Sequence, residues 1–268
     1  MNIKPASTRN VLIDWIPYLK HRALSRKGKD WALQYSQHLR YQQRSMAKSQ
    51  LSPLEINSAT GEPFLRLPAP HQNIIVTPPR EGDDEHLFAL FRDTNVADWF
   101  SSIPAPFSRD QSRAMLDQAK EVADAVLDEL HTLEKESPGK KLKVVDGCPV
   151  RHLREVQENG TDVFIGYIEE NNKRPIGDST IRWGIAAALA SSHQGRGIMT
   201  AVVDQLLHSW LIPRMNARLI VVFTWVRNQR SIRVFEKNGF TKIAVIEGRV
   251  VQGKERSLTV LEWRMQED

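Results

Sequence analysis

Gln194-Gly-Arg-Gly-Ile-Met-Thr200 lies between a strand-like run and an amphipathic helix, and its reading decides the fold. A helix N-terminus carries free backbone N–H groups and a partial positive charge, so it suits a phosphate. Gly195 and Gly197 permit unusual φ values and let the backbone approach a ligand with no Cβ in the way. Arg196 adds a cation and Thr200 a hydroxyl. A tight turn with no ligand would use the same glycines, so the turn alone leaves both readings open. Gly195-x-Gly197 also matches the first two glycines of a dinucleotide fingerprint. Thr200 stands where the third would be, however, and no acid lies near the end of Leu219–Phe223 to hold a ribose. A P-loop, a His-Glu-x-x-His zinc pair and a Gly-x-Ser-x-Gly elbow are all missing.

Working outward, Thr180–Leu189 reads as the strand before the turn, and Thr200–Leu211 as the helix after it, stopped by Pro213. Leu219–Phe223 is almost wholly apolar and reads as a buried central strand. Ser231–Lys237 is a short helix closed by Gly239, and Phe240–Ile246 and Leu258–Met265 are final strands. Upstream, Arg151–Val156 and Asp162–Tyr167 read as strands, with turns at Asn159-Gly160 and Asn171-Asn172. Asn73–Thr77 is a short strand, Glu81–Phe100 a helix, and Ser108 caps a long helix to about Lys135. Ser52–Pro70, rich in Pro, Ser and Gly, reads as a linker. The order predicts an α/β domain of the α+β type, with a mixed sheet.

The 268 residues carry a net charge of +5 and one cysteine, Cys148. A disulfide-stapled fold and a Cys-rich zinc ribbon are therefore excluded, and Cys148 reads as an ordinary buried thiol. No apolar run approaches a membrane span, and MNIKPASTRN lacks the apolar core of a secretory signal. The expectation is a cytoplasmic protein without membrane contact. Residues 1–60 hold ten Lys/Arg and three acids, a net +7, which leaves −2 for the rest. This basic extension, helical over 30–47, has three readings: a solvated appendage, a mitochondrial targeting segment, or an RNA- or ribosome-contacting arm that stacks bases on Trp15, Trp31, Tyr35 and Tyr41. The domain proper is expected over 61–268.

Two motifs together give a family. Gln194-Gly-Arg-Gly-Ile-Met199 resembles the acetyl-CoA motif of the GNAT superfamily of N-acetyltransferases. Asn228-x-x-Ser231-x-x-Val234-Phe-Glu-Lys-Asn-Gly-Phe240 resembles that family's later Asn…Glu-Lys-x-Gly-Phe segment at the expected distance. Asn95–Phe100 with Pro104–Ser108 is similar to the first helix and loop of its RimJ/RimL-like branch. The resemblance covers roughly 70–268 and implies a mostly antiparallel sheet, flanked by helices, whose central strands splay around acetyl-CoA. It implies that backbone groups near Leu189 and Ala190 bond the pantetheine arm. The turn from Gln194 through Gly195, Arg196, Gly197, Ile198 and Met199 to Thr200 would hold the pyrophosphate. Asn228 would organise the junction, or simply cap a helix, and Ser231 would contact the cofactor or the leaving thiol.

The implied activity is direct acetyl transfer from acetyl-CoA to a primary amine, on a protein N-terminus or a small molecule. Such transfer needs a neutral amine, a held thioester and a protonated thiolate. Gly184 occupies the place where relatives carry a Glu base, and Phe235 the place of a Tyr acid. Asp178, Glu169 and His193 are the remaining base candidates, and Ser231 the nearest substitute acid. The rival reading is an acyl-CoA-binding or RNA-associated protein without transferase activity.

Overall fold

The structure is a computed structural model that describes residues 49–101, 103–136, 139–173, 182–251 and 254–266. The basic stretch 1–48, with its expected helix at 30–47, and Asp178 lie outside the described residues. One sheet organises the rest. Its strands are β1 (Glu55–Ile56), β2 (Pro63–Arg66), β3 (Ile74–Thr77), β4 (His152–Val156), β5 (Asp162–Lys173), β6 (Arg182–Leu189), β7 (Leu219–Trp225), β8 (Thr241–Val251) and β9 (Lys254–Arg264). They lie in the order β1-β2-β3-β4-β5-β6-β7-β9-β8. All neighbours are antiparallel except β6 and β7, which run parallel and, among the described residues, pair only at Trp183↔Ile220. The fold is the mixed, mostly antiparallel sheet expected, with its two central strands parted.

The helices are α1 (Asp83–Arg92), α2 (Thr94–Ala97), α3 (Arg109–Glu136), α4 (Ile198–Leu206), α5 (Ile212–Met215) and α6 (Gln229–Lys237). A large apolar cluster joins α4, α6 and the second half of α3 to Leu65, Ile74, Leu153, Ile165 and Ile220. A second joins α1, Phe107 and Leu116 to Tyr167 and Ala188. The long α3 starts on a reciprocal cap: Ser108 Oγ accepts from Gln111 N–H at 3.2 Å, and Gln111 Oε1 accepts from Ser108 N–H at 2.8 Å. Its buried residues Ser112, Leu116, Ala123, Val126 and Leu130 recur at three, four or seven positions, one helical stripe. Among the described residues no helix is long and apolar enough to cross a membrane.

Four expectations change. The helix expected over Glu81–Phe100 breaks at Asp93, whose carboxylate takes the Asn95 N–H and starts α2. Pro213 does not stop its helix. A wide π turn, Leu207–Leu211, comes first, and the proline then falls in the first turn of α5, where it is tolerated. Asn171 and Asn172 are not a turn but strand, paired with Gly184 and Trp183. The expected linker at Ser52–Pro70 contains β1 and β2, and the residues before it are pinned: buried Arg214 donates to the Gln50 and Ser52 carbonyls at 2.7 and 2.8 Å.

Strands β5 and β6 approach unusually closely where Gly166 pairs with Leu189. Just before it, the β4–β5 register skips Ile165, a bulge that bends β5 toward β6. A Cβ on Gly166 would lie 2.3 Å from the Ala188 carbonyl oxygen. Neither strand can retreat, since each is tied along its length. Gly166→Ala should therefore cost about 1–3 kcal/mol, read as a lowered denaturation midpoint at unchanged slope.

Candidate active site

The parting of β6 and β7 builds the site. After Trp183↔Ile220 the two strands separate, while β6 stays paired to β5 as far as Leu189 and β7 to β9 as far as Trp225. Their facing edges therefore carry backbone donors and acceptors with no strand between them. At the mouth of this opening the chain leaves β6 through Ala190 and a short 3₁₀ turn, Ser191–His193. It reaches α4 through Gly195 at φ 77° and Gly197 at φ 81°. No side chain caps α4, so its leading N–H groups stay open to a ligand. A Cβ at Gly195 would meet nothing within 4 Å, and one at Gly197 only His71 Nε2 at 3.6 Å. Left-handed φ, rather than crowding, is what calls for glycine at both positions.

Side chains lock the turn in place. Gln194 Nε2 donates to the Leu189 carbonyl at 3.0 Å, and Arg230 donates to Gln194 Oε1 at 3.3 Å, joining the turn to α6. Asn228 caps α6 by accepting from Ser231 N–H at 3.2 Å. Ala190 donates to the Ile165 carbonyl and accepts from His193 N–H, both at 2.8 Å. Glu155 of β4 gathers the outer side: His193 Nε2 at 3.2 Å, Arg196 at 3.0 Å and Asn73 at 3.2 Å. The His193 contact, then Arg196, hold the Glu155 carboxyl below its ordinary range despite partial burial.

A cavity of about 460 Å³ lies between α1, α3 and the strands β4, β5 and β6. Its walls include His152, Tyr167, Glu169, Glu170, Asn171 and Trp183. Burial raises the Glu170 carboxyl to about 7, against the lowering pull of Arg151, which donates to it at 2.8 Å. Burial also raises the Tyr167 hydroxyl and the Cys148 thiol well above their usual values, so Cys148 is the inert buried thiol expected. At one end a buried ionic cluster forms. Asp83 accepts from His152 Nδ1 at 2.6 Å, from Arg154 at 2.6 Å and from Arg80 N–H at 2.8 Å. Burial resists ionisation of Asp83, but His152 and Arg154 outweigh it and hold the carboxyl well below the usual range. No group of three or more potential ligands is placed to hold a metal among the described residues.

Residues 73–241 match the family model for an acetyltransferase (GNAT) domain. The chain belongs to the GNAT family. Solved structures of the same fold include a GNAT-family acetyltransferase from Bacillus anthracis, 11% identical with a TM-score of 0.51, covering 75% of this chain and 98% of that one. Another is the ribosomal-protein-S5-alanine acetyltransferase of Vibrio fischeri, 17% identical with a TM-score of 0.51, covering 75% and 96%. No curated protein sequence matches the chain.

Within this GNAT domain Leu189 and Ala190 stand at the end of β6, Gln194 to Thr200 in the turn and the start of α4, and Asn228 and Ser231 at the start of α6. His193 sits on the outer side of the turn, bound to Glu155, and Glu169 lines the cavity. Phe235 is buried edge-to-face against Phe240, with ring centroids 5.1 Å apart, as a core residue. The Asp83–His152–Arg154 cluster went unread in the sequence. Its signal was the strand His152-Leu-Arg-Glu155, too polar for a half-buried strand without internal partners.

Asp83→Asn breaks this buried network, which should cost about 3–5 kcal/mol at neutral pH. The folded carboxyl ionises below its ordinary value of 3.8, so its contribution is complete above that pH and drains away beneath it. Urea denaturation should show the gap between wild type and variant narrowing as the pH falls below 3.8.

Proposed function

We propose that the chain is an N-acetyltransferase that passes the acetyl group of acetyl-CoA directly to a primary amine, on a protein N-terminus or a small molecule. The observation that carries this reading is the single-pair contact between β6 and β7, opening onto an uncapped double-glycine turn. The residues present fit the cofactor. Open space beside Gly195 admits a pyrophosphate against the backbone, and the unpaired strand edges offer amide partners to a pantetheine arm. Acetyl-CoA supplies an acyl carbon already activated as a thioester.

The chain's own groups do the rest. N–H groups from Gly195 to Met199, with Arg196, hold the phosphates, and the Leu189–Ala190 backbone aligns the arm. Gln194 braces that backbone, and Asn228 fixes the start of α6 beside it. The cavity takes the acceptor amine, and Glu169 with Asp146 favours a cation there. Holding amine and thioester in one orientation supplies a large part of the rate. Ser231, at the start of α6, is the hydroxyl nearest in sequence to the family's acid position.

A second reading, acyl-CoA binding without transfer, has one observation in its favour. Neither Gly184 on β6 nor the buried Phe235 can exchange a proton. Coenzyme A release from acetyl-CoA, followed with polyamines and short peptides as acceptors, separates the two. Turnover with any of them supports the transferase, and binding without turnover supports the second reading. Arg196→Ala and Gly197→Val should each weaken coenzyme A binding by about 1–3 kcal/mol in calorimetry. The first loses a charged contact, and the second cannot hold φ 81° at that position. Unchanged affinity in both would overturn the assignment of the turn.

A further inference from the structure

The cavity joins two features that the assignment of the turn does not explain. At one end is His152, only 1% exposed, with Nδ1 fixed on the Asp83 carboxylate at 2.6 Å. Its other ring nitrogen, Nε2, has no protein partner among the described residues. At the other end is Trp183, the residue at which β6 and β7 touch before they part. His152, Tyr167 and Ala188 form one row across β4, β5 and β6, so the side chains of all three stand on the same face of the sheet. The wall of the cavity thus carries an oriented imidazole in the same row as Ala188, next to the end of β6.

Orientation by a buried carboxylate does two things. It keeps the proton on Nδ1, leaving the Nε2 lone pair bare, and it stabilises the imidazolium once a proton arrives. Further contacts hold the pair. Arg154 and the Arg80 N–H secure the Asp83 oxygens, and the His152 ring stands edge-on to Phe164, with centroids 5.2 Å apart. A histidine needed only for packing would not require its carboxylate to be fixed by an arginine and a backbone donor.

We propose that His152 is the general base of the acetyl transfer and Asp83 its positioning residue. The proposal rests on the transferase reading above. His152 Nε2 takes one proton from the ammonium group of the acceptor. The neutral amine nitrogen then bonds to the acetyl carbon, the C–S bond breaks with its electron pair going to sulfur, and a second N–H proton ends on that sulfur. His152 afterwards gives its proton to water, so one amide, one thiol and one released proton result. Gly184 is no obstacle, because the base sits two strands away from β6.

The charged and titratable groups around His152 come from each packed element. They are Asp83 and His86 on α1, Arg151 and Arg154 at β4, Tyr167, Glu169 and Glu170 on β5, and Asp146 in the preceding loop. The α3 side chains lining the cavity are not titratable. Burial, with help from Arg154 and Arg151, lowers the imidazole below its ordinary value against the opposing pull of Asp83. The ring is therefore neutral at pH 7 and ready to accept.

The test uses full-length protein and the best acceptor among the polyamines and peptides tried above. His152→Gln should lower kcat about 10²–10⁴-fold, leave coenzyme A binding unchanged, and abolish the fall in rate on the acid side of the pH profile. Imidazole in the buffer should restore turnover to His152→Ala, which a structural role would not allow. Independently of activity, nitrogen NMR of the wild type at pH 7 should find the His152 proton on Nδ1 and Nε2 bare. A proton on Nε2 would overturn the proposal even if the variants fail to fold. So would an acid limb that survives in His152→Gln but disappears in Glu169→Gln, which would give the role to Glu169. Wild type that binds coenzyme A but acetylates none of the acceptors would overturn the transferase reading itself, and the base with it.

Discussion

Everything in the domain is arranged around one short backbone contact. Strand β6 holds β5 along its whole length and β7 holds β9 likewise, yet β6 and β7 meet at a single register pair, Trp183↔Ile220. Each half-sheet is stiff, and the gap between them is not closed by a third strand. The helical layer bridges it: Ile198, Val202 and Leu206 of α4, with Ile232 and Phe235 of α6, pack into the cluster that also holds Trp183 and Ile220. The opening is therefore backed by a packed core on one side. The double-glycine turn lies at its mouth because the chain must leave the end of β6 and enter α4 there.

The second organising element is polar. Burying a carboxylate is costly unless its oxygens are filled. Asp83 meets that condition with Arg154, His152 and the Arg80 N–H, while Arg80 itself reaches Glu62 and Asp162 at 2.6 and 2.8 Å. The network ties α1, β4, β5 and the residue before β2 into one corner of the sheet, beside the cavity. Glu170, by contrast, shares its cavity wall with Arg151, whose Nε has no partner.

The sequence was most legible where local chemistry settles the backbone. The glycines at 195 and 197, Asn228 as a cap, and the apolar run at 219–223 each announced their structure because few alternatives satisfy those residues. Legibility failed where distant partners decide. Asn171 and Asn172 look like a turn until their pairing with Gly184 and Trp183 is known. The prolines of 52–70 suggested a linker, yet the first position of a strand accepts proline, and Pro63 begins β2. Pro213 was read as a stop because a π turn leaves no local mark. The ionic corner was hidden for the same reason: Asp83 and His152 are 69 residues apart, and only the fold shows that they are partners.

Strand β8 ends the sheet and is exposed along most of its length, with Ile243 and Val245 among its bared side chains. Such a strand would ordinarily invite another chain to add to the sheet. Its register with β9, however, jumps twice, between Lys242 and Ala244 and between Ile246 and Arg249. Each jump kinks the strand and deepens its twist. The outer edge is thereby cut into straight pieces of two or three residues, too short to template a growing ladder. The irregularity keeps an apolar margin from becoming a seed for aggregation.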